Sequence, residues 1–171
     1  MFSGKTEELM RRIRRARIAK QKVCIYKPVT DDRYACDAVV SHAEVRFPCV
    51  AVEWSKEIAL DVVNNRVEVV AVDEAQFFDD RFPMEMDALA NSGHRVIVAG
   101  LDLDYSGVPF GTMPSVLARA DDITKLRAIC IQCGSEASRT QWTGGEDPRG
   151  QIEVGGGEKY EARCRDCWNP V

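Results

Sequence analysis

The sequence predicts an α/β fold: a parallel sheet with flanking helices, followed by a small C-terminal metal-binding lobe. Three observations carry that expectation. Short apolar runs alternate with helical patterns over residues 7–129, as strands covered on both faces require. The most continuous of these runs, Val67 to Val72, ends abruptly in Asp73-Glu74. Beyond Ile129 the chain turns glycine-rich and carries two cysteine pairs, Cys130/Cys133 and Cys164/Cys167. The 171 residues are 45% hydrophobic and 29% charged, enough for one core with a satellite.

Taken in order, Leu9, Ile13 and Ala16 recur at helical spacing, and arginines 11, 12, 14, 15 and 17 cover the other faces. That arginine run reads as a solvated helix face. Val23 to Tyr26 is a short buried strand stopped by Pro28, and residues 29–46 form a polar loop or flap. Trp54 to Asn65 is a helix, Val67 to Val72 a strand, and residues 82–92 a helix closed by Ser92-Gly93. Val96 to Ala99 is a strand, residues 113–120 a short helix, and Ile123 to Ile129 a further strand. Residues 1–129 are thus expected to form the core domain, and residues 130–171 the lobe.

The charge balance, −4 at pH 7, gives no support to general binding of nucleic acid or anionic membrane. No apolar run approaches the roughly 20 residues needed to span a bilayer. Seven cysteines is an odd count, which argues against a disulfide scaffold and, with no signal peptide ahead of the first motif, for a cytoplasmic protein.

Two clusters carry chemistry. Ser3-Gly4-Lys5-Thr6 before a helix is the second half of a phosphate-binding P-loop. Backbone N–H groups at a helix start cradle phosphate oxygens, Lys5 would reach the outer phosphates, and the Thr6 hydroxyl would ligate Mg²⁺. Asp73, at a strand tip where parallel sheets bind ligands, suits the metal sphere, although an aspartate there could simply cap the next helix. Glu74 is placed to act as a base on an attacking hydroxyl, or to activate water in an ATPase. In the lobe, Cys130, Cys133, Cys164 and Cys167 supply four thiolates for a structural Zn²⁺, with an iron–sulfur cluster or a redox pair as alternatives. Cys24, Cys36 and Cys49 read as bystanders, and His42 and His94 receive no role.

With these residues in hand, the sequence resembles the type II thymidine kinases, a family with a P-loop core and a C-terminal zinc lobe. The resemblance runs in order through Met1 to Leu9, Tyr26-Lys27-Pro28, Asp31 to Tyr34, Asp73 to Phe78, Gly100-Leu101-Asp102, Pro109-Phe110-Gly111 and Lys159-Tyr160. It implies ATP-dependent phosphorylation of the thymidine 5′-hydroxyl, with Glu74 as proton acceptor and Asp73 and Gln76 beside the nucleotide. It places Asp31, Asp32 and Arg33 at the phosphate donor, and Met1, Phe77, Phe110 and Tyr160 around the nucleoside. Gln151, Ile152, Glu153, Val154 and Gly155 match the segment whose backbone binds thymine, so zinc would fix a pocket flap and take no part in the chemistry. The resemblance further implies a homotetramer and feedback inhibition by the triphosphate end product. It also implies a strand and a Gly-Pro ahead of Met1, so the chain as written is expected to be poorly folded or inactive. The competing reading is a P-loop ATPase-like module whose zinc ribbon binds nucleic acid or a protein. The lobe's charge, five positive against seven negative side chains, does not favour nucleic acid.

Overall fold

In a computed structural model, which describes residues 2–29, 38–40, 46–144 and 159–169, the chain opens with helix α1 (Lys5–Ile18). Leu9, Met10, Ile13 and Ala16 form its buried stripe, and Glu7 and Glu8 in the first turn and Arg15 and Arg17 in the last complement its dipole. The arginine run is the solvated face expected: Arg11, Arg14, Arg15 and Arg17 are exposed and only Arg12 is half-buried. Arg17 and Arg14 lie over the Phe47 ring at 4.5 and 5.8 Å. Glu8 accepts hydrogen bonds from Arg11 and Arg12, which hold its carboxyl at about 2.

Strand β1 (Val23–Pro28) follows. It runs two residues further than expected, because Pro28 sits opposite Val52 past the last residue that pairs with the other neighbouring strand, where a missing N–H costs no ladder bond. The short antiparallel pair β2 (Ala38–Val40) and β3 (Arg46–Pro48) leads into β4 (Val50–Val52). Next come α2 (Ser55–Asn65), β5 (Val69–Val72), a 3₁₀ turn (Ala75–Phe77), α3 (Phe82–Asn91), β6 (Arg95–Val98) and α4 (Met113–Arg119). The lobe contains β7 (Ala128–Ile129), β8 (Glu136–Ala137), β9 (Arg139–Trp142) and β10 (Tyr160–Arg163).

The central sheet has the order β4-β1-β5-β6, all parallel. Strand alternation divides its side chains between two cores. Tyr26, Val70 and Val72 pack with Ile58, Val62, Phe82, Met86 and Leu89 from α2 and α3. Ile25 and Ala71 face Leu9, Met10 and Ile13 of α1. Two half-buried polar ties fix α2. The Tyr26 hydroxyl donates to Asp61 (2.7 Å), and Asp79 accepts from the Ser55 N–H (2.7 Å) and hydroxyl (2.9 Å) at the helix start.

The expected strand over Ile123 to Ile129 is a correction. Only Ala128–Ile129 is extended and paired, and it pairs with β8 of the lobe, not with the central sheet. Ile123 and Leu126 instead line a cleft of about 450 Å³ along β6, together with Val96, Val98, Val116 and Leu9. Among the described residues no helix is long and apolar enough to cross a membrane.

Candidate functional site

The strand tips gather the phosphate-end residues. Gly4 caps α1 with φ 75°, a left-handed conformation that glycine adopts without penalty, and its carbonyl accepts from Glu8 N. This turn brings Lys5 and Thr6 to the end of β5. The Thr6 hydroxyl donates to Asp73 Oδ2 (3.2 Å), and the Glu74 N–H donates to Asp73 Oδ1 (3.0 Å). Asp73 is 5% exposed. Burial pushes its carboxyl up to about 7, with the neighbouring Glu74 charge adding to the rise and Lys5 opposing it. A buried carboxylate beside a hydroxyl and a second acid is a hard-oxygen donor set, the type that suits Mg²⁺. Ser3 and Lys5 also border the cleft along β6, whereas Asp73, Glu74, Phe77 and Phe110 lie off its lining.

Glu74 has φ 51° and ψ 43°, a left-handed backbone that costs a non-glycine residue about 1–2 kcal/mol. The surrounding chain holds it there. Ala75 N–H donates to Ala99 O (3.0 Å), and the Thr112 hydroxyl approaches Ala75 O (3.4 Å). Gln76 donates to Glu74 Oε2 (2.6 Å) and accepts from Leu101 N–H (3.0 Å). Next to this turn Phe77 and Phe110 meet edge to face, centroids 5.5 Å apart.

Gly111 presses the Phe110 turn onto that segment. A Cβ there would lie 2.2 Å from the Gln76 backbone oxygen, and its φ is +50°. Gly111→Ala is therefore expected to lose about 2–5 kcal/mol of stability, combining overpacking with a left-handed alanine. Urea unfolding measures it, and a loss below about 0.5 kcal/mol would show that the contact is easily relieved.

At the lobe, the four thiols of Cys130, Cys133, Cys164 and Cys167 lie within 4.8 Å of one another, and Cys133 Sγ is 3.6 Å from Cys164 Sγ. A tetrahedral zinc with Zn–S of about 2.3 Å spaces its sulfurs by about 3.8 Å, so the set fits the ion and could hold it. Both pairs sit on tight turns: Gly134 N–H returns to Cys130 O (2.8 Å) and Trp168 N–H to Cys164 O (3.0 Å).

The lobe is fastened to the core by aromatics, of which sequence reasoning singled out only Tyr160, as a nucleoside contact. Tyr160 is buried and packs on Trp142 (5.2 Å) and Tyr105 (6.3 Å). The Trp168 ring packs against Gly107, and its N–H donates to Thr140 O (3.1 Å) and Tyr105 O (3.3 Å). Tyr105 belongs to the same loop as Phe110. The signal was a tryptophan directly after the last cysteine, Cys167-Trp168.

Ser3, Gly4, Lys5, Thr6, Asp73, Glu74, Gln76, Phe77 and Phe110 thus fall on adjoining segments at one end of the sheet, and Tyr160 lies in the lobe. Met1, Asp31, Asp32, Arg33, Gln151, Ile152, Glu153, Val154 and Gly155 lie outside the described residues. A family model described as thymidine kinase matches residues 1–168. With that match along nearly its whole length, a carboxylate pair at the β5 tip and a four-cysteine lobe behind it, the chain belongs to the thymidine kinase family.

Proposed function

We propose that the protein transfers the γ-phosphoryl group of ATP to the 5′-hydroxyl of thymidine, giving the monophosphate. Family membership supports nucleoside phosphorylation in general. The observation that carries the finer reading is the bond from Thr6 to Asp73, which joins the start of α1 to the tip of β5 with Glu74 next in line.

In this reading the N–H groups around Ser3 to Thr6 and the Lys5 ammonium bind the phosphates. Thr6 and Asp73 would hold Mg²⁺, which would supply charge stabilisation to the phosphoryl oxygens. Glu74 accepts the hydroxyl proton as that oxygen forms its bond to phosphorus, and the bond to the leaving oxygen breaks with its electron pair on ADP. Phe77, Phe110 and Tyr160 wall the nucleoside, and Met1 and the backbone of residues 151–155 complete its pocket. Asp31, Asp32 and Arg33 serve the phosphate donor. Zn²⁺ on the four cysteines is structural, and the cytoplasmic homotetramer and end-product inhibition are carried by resemblance.

The test is direct. Purified protein, extended by any residues its gene encodes ahead of Met1, should with thymidine, ATP and Mg²⁺ yield the monophosphate and ADP in equal amounts. ADP formation independent of nucleoside would favour the ATPase reading, and no product at high protein concentration would remove the kinase reading.

A further inference from the structure

Gln76 is 3% exposed, a buried amide on the turn directly after the carboxylate pair. Its orientation has only one solution. The Leu101 backbone N–H can only donate, so Oε1 must face it (3.0 Å), which turns the amide nitrogen toward Glu74 Oε2 (2.6 Å). The amide cannot flip without setting N–H against N–H and oxygen against oxygen. The backbone of Gln76 is fixed as well, since Gly111 packs on its carbonyl and Ala75 is tied to Ala99. A glutamate side chain has three rotatable bonds, and this clamp from the loop after β6 removes much of that freedom before any ligand arrives.

We propose that Gln76 is the positioning residue for Glu74: its amide, oriented by the Leu101 N–H, holds the carboxylate in place to receive the nucleoside hydroxyl proton. This rests on the reading of Glu74 as proton acceptor. It differs from the role implied by resemblance, in which Gln76 stands at the nucleotide. Its oxygen and one of its amide N–H groups are engaged inside the protein, and the latter gives its effect a route through Glu74.

The experiment is a double-mutant cycle in steady-state kinetics with thymidine and ATP. Gln76→Glu keeps the oxygen toward Leu101 but sets an acceptor against Glu74; Gln76→Met keeps the bulk and removes both bonds, so one variant serves if the other folds poorly. Either should lower kcat by about 10- to 100-fold with both KM values within about threefold, as a misplaced catalytic group does. In a Glu74→Gln background the Gln76→Met change should cost less than about twofold, because the group it positions is already disabled. A kcat within twofold of the parent in both single variants would overturn the proposal. So would a tenfold rise in either KM at constant kcat, or a full loss repeated in the Glu74→Gln background. Parental turnover by Glu74→Gln alone would instead overturn the proton-acceptor reading, and the positioning role with it, so the two failures are told apart.

Discussion

Glu74→Gln is expected to reduce turnover by about 10²- to 10⁴-fold while leaving the ATP dissociation constant within about threefold. The substitution is nearly isosteric and retains an oxygen to accept from Gln76, so the clamp on the turn survives. What disappears is an acceptor able to take a proton from an attacking hydroxyl. In the proposed reading phosphate binding falls to other groups, the Lys5 ammonium and the N–H groups at the start of α1, which the change does not touch. A separation of kcat from ATP affinity is therefore the signature. Single-turnover phosphorylation and nucleotide titration measure the two halves, and turnover within tenfold of the parent would remove Glu74 from the chemistry.

The second large effect is expected on metal removal. The lobe's own core consists of Ala128, Cys130, Ala137, Ala162 and Cys164, five small side chains. At about 0.8 kcal/mol per buried carbon they contribute roughly 4 kcal/mol, whereas a structural zinc site contributes about 10–16 kcal/mol at pH 7. Chelation should unfold the lobe and leave the β4-β1-β5-β6 sheet standing. Two of the three tryptophans report it, because Trp142 and Trp168 lie in the lobe while Trp54 sits half exposed at the start of α2. Their emission should shift to the red in one transition, and thymidine affinity should fall by at least tenfold while ATP affinity changes little. Unchanged emission and thymidine affinity in demonstrably metal-free protein would assign the cysteines another role.

The central sheet was legible wherever burial imposes a pattern. β1, β5 and β6 are apolar on both faces and were found within two residues at each end, as were α2, α3 and α4. β4 was not, because Val50–Val52 is three residues long and is defined by its pairing with β1, which no local pattern encodes. The strand expected over Ile123 to Ile129 failed for a related reason: Ile123 and Leu126 are apolar because they line a cleft, and spacing alone cannot separate that use from a ladder. The position of Asp73 and Glu74 at the β5 tip and the convergence of the cysteine pairs were legible, because both follow from close spacing in sequence. The Gln76 clamp was not, since its partner Leu101 is 25 residues away and arrives only through the fold. Nor was the Tyr105–Trp142–Tyr160 cluster, whose members are joined by packing between lobe and core.

The spacing of the two cysteine pairs has a consequence in polymer terms. Thirty residues separate Cys133 from Cys164, and each pair forms on its own tight turn. In the unfolded chain, bringing the two turns together costs about 3 kcal/mol of closure entropy, and doubling the intervening length adds only about 0.6 kcal/mol. The metal site is therefore nearly indifferent to how much chain it encloses. In closure entropy alone, a change of length between the knuckles costs the metal site little, whereas one falling within β8, β9 or β10 would disturb the pairing of β9 with β10 and the packing of Trp142 on Tyr160.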